Sequence, residues 1–130
     1  MIEIRESDFS LDELIRRAKK KEVGAVVTFL GVVRDDGIES MELEAYEEAA
    51  VPELLRIEEE AMKRFSLQSL DIIHRVGSLS VGDNIVVIVC AASHRKDAFE
   101  GCRYAIEELK ARVPIWKKEI TREGTRWVGQ

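Results

Sequence analysis

At 130 residues, with 45% apolar and 35% charged side chains, the chain is long enough to bury a core without disulfide or metal staples and too mixed in character to be disordered. Its 25 acidic residues outnumber 20 basic ones for a formal net charge of -5, which disfavours nucleic acid or an anionic membrane as a general partner. No stretch approaches the roughly 20 apolar residues of a membrane span, and the acid-bearing N-terminus lacks the apolar segment of a signal peptide, so one cytoplasmic domain over residues 1–130 is expected.

Ser10-Leu11-Asp12-Glu13 reads as a capping box, and Leu11, Leu14, Ile15 and Ala18 follow at helical spacing. The basic residues from Arg16 to Lys21 suit the negative end of that helix. Gly24 to Val33 is almost continuously apolar and predicts a strand buried on both faces, ending at Arg34. Asp35-Asp36-Gly37 has turn chemistry, and Met41 to Tyr46 alternates as the returning antiparallel strand. Arg34 therefore stands beside a loop, where a surface pair with Asp35 or Asp36 is the simplest account of it.

Pro52 suits the first position of a second helix, whose apolar stripe of Leu54, Leu55, Ile57, Ala61, Met62 and Phe65 runs to about Phe65. The run Glu58-Glu59-Glu60 points in three directions on a helix and does not converge on a metal ion. Leu70 to Leu79 and Asn84 to Ala92 predict a second strand pair around Val81-Gly82-Asp83-Asn84. His74 in the first of these is best read as a hydrogen-bonded structural histidine, since the only other one, His94, makes no zinc set with it. Cys90 and Cys102 lie in apolar surroundings and read as small buried thiols.

The last apolar strand exits at Ser93-His94-Arg95-Lys96, where Asp97 is placed to cap a third helix with an inward stripe of Phe99, Cys102, Ile106, Leu109 and Val113. A helix N-terminus carrying His94 and Arg95 favours an anion such as phosphate. Lys110, four residues after Ile106, falls at the edge of the buried stripe, although a lysine near a helix C-terminus is equally explained by the dipole. Pro114 forces the chain out of the helix, and Ile115 to Lys118 continues extended with Trp116 and Lys117 on opposite sides.

Together these pieces resemble the large, catalytic subunit of molybdopterin synthase, the MoaE family. The resemblance is carried in order by Gly24 to Arg34, Leu43 to Tyr46, Ile73 to Gly77, Ser93-His94-Arg95, Leu109 to Glu119 and Gly124 to Val128. It implies an α+β, α/β-hammerhead-type fold with antiparallel strand pairs and three main helices. It also implies a homodimer that becomes a heterotetramer by binding a small ubiquitin-like sulfur-carrier subunit, whose C-terminal Gly-Gly thiocarboxylate enters the active site. The family builds the dithiolene of molybdopterin by two sulfur transfers to cyclic pyranopterin monophosphate, a chemistry that calls for no cofactor and no metal on this subunit.

Carried over residue by residue, the resemblance implies that Arg34, His94 and Arg95 bind the pterin phosphate and that Lys110 and Lys117 are the essential lysines. Arg112 and Lys118 stand as contacts to the phosphate or to the residues around it, with ordinary surface roles as the simpler reading. Family members continue past the motif around Trp127 with a tail that sends a basic residue into the neighbouring subunit's site, and whether Arg126 takes that part is left open. The alternative function is a non-catalytic dimeric module that holds a phosphorylated small ligand through Arg34, His94 and Arg95.

Overall fold

The structure, a computed structural model, describes residues 1–128. Its first element is a short strand that the sequence did not announce, β1 (Ile2–Arg5). Helix α1 (Leu11–Ala18) starts where the capping box puts it, with Ser10 Oγ accepting from the Glu13 amide at 3.3 Å. Strand β2 (Ala25–Val32) follows, then β3 (Ser40–Ala45) and helix α2 (Glu47–Arg64). The chain continues through β4 (Leu67–Arg75), β5 (Gly77–Ser80), β6 (Asn84–Ala92), α3 (Arg95–Arg112), β7 (Ile115–Thr121) and β8 (Gly124–Val128). Three helices and largely antiparallel strands make the α+β class expected from the sequence.

The strands form two sheets, ordered β1-β4-β6-β2 and β5-β3-β7-β8. In the first, β6 is central, and its side chains alternate between two apolar clusters. Ile88, Cys90 and Ala92 meet α2 and α3, whereas Val87, Val89 and Ala91 meet Leu14 and Ala18 of α1. Both faces of β6 are therefore dry, which explains an apolar run with no alternation. Strand β2 pairs with β6 but lies at the sheet edge, so it is half-buried rather than covered on both faces as predicted.

Long-range pairing overrules two local readings. Strand β3 does not return alongside β2; it joins the second sheet between β5 and β7. The stretch Leu70 to Leu79 is not one strand either, because the chain turns from one sheet into the other at Val76-Gly77, where Gly77 takes a positive φ of 95°. The corner is tied by Arg75, whose guanidinium donates to the carbonyls of Glu6 and Asn84, and by the Val76 amide donating to Arg5 O.

Helix boundaries shift in the same way. Helix α2 begins at Glu47, so Pro52 lies inside it rather than at its first position, and Leu55 and Met62 face solvent. Helix α3 is capped by His94 with no side-chain bond, leaving Asp97 in the first turn and not at the cap. Its buried face is Ala98, Gly101, Cys102, Ala105 and Leu109, while Phe99 is 61% exposed. Small residues win that face because the helix lies close on the sheet: a Cβ on Gly101 would come within 2.9 Å of Cys90 Sγ and of the Leu67 methyls.

The exit of β6 is held by a second close approach. The Gly24 amide donates to Ala92 O at 3.0 Å, Ser93 Oγ donates to Glu22 O at 2.9 Å, and a Cβ on Gly24 would collide with the Ser93 carbonyl oxygen. Backbone cannot yield there without moving the strand exit that leads to His94. Gly24→Ala is expected to destabilise the protein by about 2 kcal/mol through overpacking. Urea unfolding reads this as a lower midpoint at unchanged slope, and a midpoint equal to wild type would contradict the packing account.

Candidate functional site

The seam between the two sheets opens into a cleft of about 600 Å³, a volume suited to a small molecule. Its apolar wall includes Phe29, Val86, Ile106 and Leu109, and its polar residues are Arg34, Asp36, His74, Lys110, Lys117 and Glu119. Each element brings its residue by its own period. Strand alternation sends Lys117 and Glu119 of β7 toward the cleft, while Trp116 is exposed on the other side. One helical turn separates Ile106 from Lys110, so both reach the same wall from the last turns of α3.

Three cations thus share one small volume of an acidic protein. Lys117 is half-buried, and burial lowers its pKa first, with Lys110 and then Arg34 adding to the effect while Glu119 opposes it. Such an amine gives up its proton more readily than a surface lysine, which suits acid and base work. Lys110 is exposed at the rim, next to the buried Leu109. Arg34 holds Asp36 at 2.9 Å with its side chain 83% exposed, as the pairing with the adjacent turn predicted. A pair that open is weak, so an incoming anion is able to displace it.

His74 and Glu119 complete the polar lining. Glu119, 8% exposed, accepts from Arg126 Nε at 2.6 Å. His74, 1% exposed, has Nδ1 2.8 Å from its neighbour's carbonyl, Arg75 O, and burial, reinforced by Lys117 and Lys110, pushes its pKa down to about 4. It is the hydrogen-bonded core histidine that its sequence setting suggested, and it also forms part of the cleft wall. No signal in the sequence brings it there, since its neighbours in the cleft come from the other sheet and from α3.

The remaining predicted residues lie elsewhere. His94 and Arg95 are exposed at the first turn of α3, and about 22 Å of helix rise separates Arg95 from Lys110. One copy of the chain therefore does not bring His94 and Arg95 to the cleft that holds Arg34. Arg112 faces the helix pair instead, binding Glu53, Glu60 and Glu108 at 2.6 to 2.9 Å and tying α2 to α3. Its hydrogen bond, with that of Tyr104, holds the Glu60 carboxyl down at about 2. Lys118 lies 3.8 Å from Glu42 and over the Trp127 ring, its cross-strand partner in β8. Neither residue lines the cleft: Lys118 has the surface role that was the simpler reading, whereas Arg112 is a part-buried clamp between α2 and α3 that neither reading anticipated. Arg126 reaches the cleft only through Glu119.

The two cysteines are buried, and desolvation pushes Cys90 up to about 12 and Cys102 up to about 11. Neither supplies a thiolate at neutral pH. Among the described residues no group of three or more His, Cys, Asp and Glu is arranged to hold a metal ion, and no helix is long and apolar enough to cross a membrane.

Comparison with known proteins gives this geometry its context. The family model described as MoaE protein matches residues 4–112. The molybdopterin synthase catalytic subunit of Pyrococcus abyssi is 42% identical over 125 residues, spanning 93% of this chain and 84% of that protein. A crystal structure of molybdopterin synthase from Staphylococcus aureus superposes with a TM-score of 0.91 at 37% identity, covering 98% of this chain and 96% of that one. A complex of subunits 1 and 2 of molybdopterin-converting factor from Helicobacter pylori contains the same fold, with a TM-score of 0.83 at 24% identity, over 98% of this chain and 89% of that one.

The buried imidazole also ties the cleft to stability. The unfolded chain binds a proton at His74 with the ordinary pKa near 6.5, and the folded state binds it only near 4. The unfolded state therefore holds more protons between those values, and folding stability falls as pH drops through that window. Between pH 7 and pH 5 the loss is expected to be ~2 kcal/mol, read as a drop in the urea midpoint. A midpoint that stays flat over this range would show that His74 is not buried as a neutral ring.

Proposed function

The chain belongs to the MoaE protein family, and from that premise we propose that it is the catalytic subunit of a molybdopterin synthase. Acting as one domain over residues 1–130 in the cytoplasm, it moves sulfur from the C-terminal thiocarboxylate of a small carrier subunit to cyclic pyranopterin monophosphate. The observation that carries this reading is the convergence of Lys110, Lys117 and Arg34 on one cleft of small-molecule size. The high pKa values of both buried thiols support it further, because the sulfur then has to arrive on a partner.

Each lysine has a task suited to its position. Lys110, exposed at the rim, meets the incoming carrier tail and stabilises negative charge that develops on its carbonyl and on the departing carboxylate. Lys117, deeper and with a lowered pKa, exchanges protons at the substrate carbons that receive sulfur. Arg34 releases Asp36 to take the substrate phosphate.

His94 and Arg95 join that phosphate site from a second copy of the chain. Their distance from the cleft within one copy is what calls for this arrangement, and a homodimer with one carrier on each subunit, a heterotetramer, accommodates it. Exposed His94 at a helix N-terminus, with no capping bond of its own, is free to present backbone and side-chain donors to an anion on the neighbouring molecule.

Reconstitution with a thiocarboxylated carrier and the cyclic pterin tests the reading. Lys117→Ala and Lys110→Ala are each expected to lower dithiolene formation by about 100-fold or more, and undiminished formation in both would remove their assignment. Arg95→Ala is expected to weaken pterin binding and leave carrier binding intact. If sites are shared across the dimer, mixing Lys117→Ala and Arg95→Ala subunits at a pterin concentration too low for Arg95→Ala alone to turn over restores roughly a quarter of wild-type activity, since one site in each mixed dimer is whole. No recovery on mixing would put His94 and Arg95 outside the site.

A further inference from the structure

His74 has one commitment and one opening. A carbonyl oxygen only accepts, so the 2.8 Å contact between Nδ1 and Arg75 O places the ring proton on Nδ1. The neutral ring has no second proton, which leaves Nε2 as an acceptor. Among the described residues Nε2 has no hydrogen-bond partner, yet no buried side-chain nitrogen or oxygen is left unsatisfied. The residue's small accessible surface is therefore at Nε2, and His74 belongs to the cleft wall.

The cleft contains few candidates to meet that lone pair. Both carboxylates on its wall are engaged by arginines, Asp36 by Arg34 and Glu119 by Arg126. Lys110 and Lys117 are the donors with no ion pair among the described residues. Sheet register selects between them: Lys117 stands opposite Leu43, Leu43 stands opposite Gly77, and Gly77 follows His74 by three residues through the corner. Lys110 approaches from α3 at the exposed rim, and of the two ammonium groups Lys117 acts the more strongly on the imidazole.

We propose that His74 is a positioning residue: its Nε2, without a partner among the described residues here, accepts a hydrogen bond from the Lys117 amine once the carrier tail and substrate fill the cleft, and aims that nitrogen at them. A neutral acceptor suits the task better than a carboxylate would. An amine that gives one N–H to imidazole keeps its lone pair directed elsewhere, whereas a carboxylate would hold the group as ammonium. Protonating His74 would place a further cation beside Lys110, Lys117 and Arg34, so the ring stays an acceptor across the physiological range. The catalytic part of this inference rests on the acid and base role given to Lys117 above; the hydrogen bond does not.

Two measurements keep those parts separate. In carrier-bound protein carrying 13C-labelled lysine, the Lys117 titration midpoint is followed by NMR in wild type, His74→Gln and His74→Leu. Leu removes the acceptor and lowers the midpoint, while Gln retains one and leaves it near wild type; equal midpoints in all three overturn the proposal. Kinetically, His74→Leu is expected to lower kcat about 10- to 100-fold with the pterin KM changed less than about twofold. Gln recovers most of that loss, and His74→Leu costs nothing further in a Lys117→Ala background. An undiminished kcat, or the same loss with Lys117 absent, overturns the positioning role. Where Leu fails to fold, His74→Met, flexible and without a strong acceptor, replaces it in both arms. If wild type forms no dithiolene at all, the synthase reading fails while the titration still decides the hydrogen bond.

Discussion

One corner of the backbone governs what the rest of the molecule is able to do. At Arg75-Val76-Gly77 the chain leaves one sheet for the other, with Gly77 at φ 95° and the Arg75 guanidinium satisfying the carbonyls of Glu6 and Asn84. A sheet that continued straight would bury the β5 side chains with those of β4 and leave no seam. Turning instead, the chain gives β3, β7 and β8 a separate sheet to build on and opens a cleft against the end of α3. His74 lies at the end of the first sheet, Lys117 on the second and Lys110 on the helix, so the corner is what gathers them.

Charge is distributed with a corresponding economy. Several basic groups of this acidic chain are matched by carboxylates: Arg112 with three glutamates, Arg103 with Glu107, Lys63 with Glu59 and Arg126 with Glu119. In the cleft, by contrast, Lys110 and Lys117 line one volume without an ion pair among the described residues, and both carboxylates of its wall are already engaged by arginines. Like charges held together in partial burial lower the affinity of Lys117 for its proton and raise the affinity of the cleft for an anion. Both consequences follow from one arrangement, and neither needs a metal or a thiol from this chain.

Helix α3 links the two ends of the proposed site. Its buried face is built from alanine, glycine and cysteine so that it lies close on β6, which fixes its axis and hence where both termini point. The C-terminal end delivers Lys110 to its own cleft, and the N-terminal end carries His94 and Arg95 away from it by the length of the helix. A rigid element with one functional group at each end is suited to serve two copies of a site, which is the physical basis for the shared dimer proposed here.

Much of this was legible in local sequence, for reasons that act within a few residues. Ser10 caps α1 because its hydroxyl reaches the Glu13 amide, Pro114 ends α3 because it excludes the helical backbone before it, and Lys117 opposes Trp116 because strands alternate. The apolar run from Ile85 to Ala92 identified a strand, though burial on both faces was expected of Gly24 to Val33 instead, and the apolar settings of Cys90 and Cys102 identified buried thiols. Only the tertiary structure decided that β3 joins β5 and β7, that Leu70 to Leu79 is two strands, and that α3 buries Ala98 and exposes Phe99. It also decided that Arg112 clamps helices, that His94 and Arg95 lie far from Arg34, and that His74 shares a cleft with Lys117. These depend on which distant segments pair and how closely they approach, and free energies of that kind are set by contacts between residues far apart in the chain, where no local period or propensity registers them.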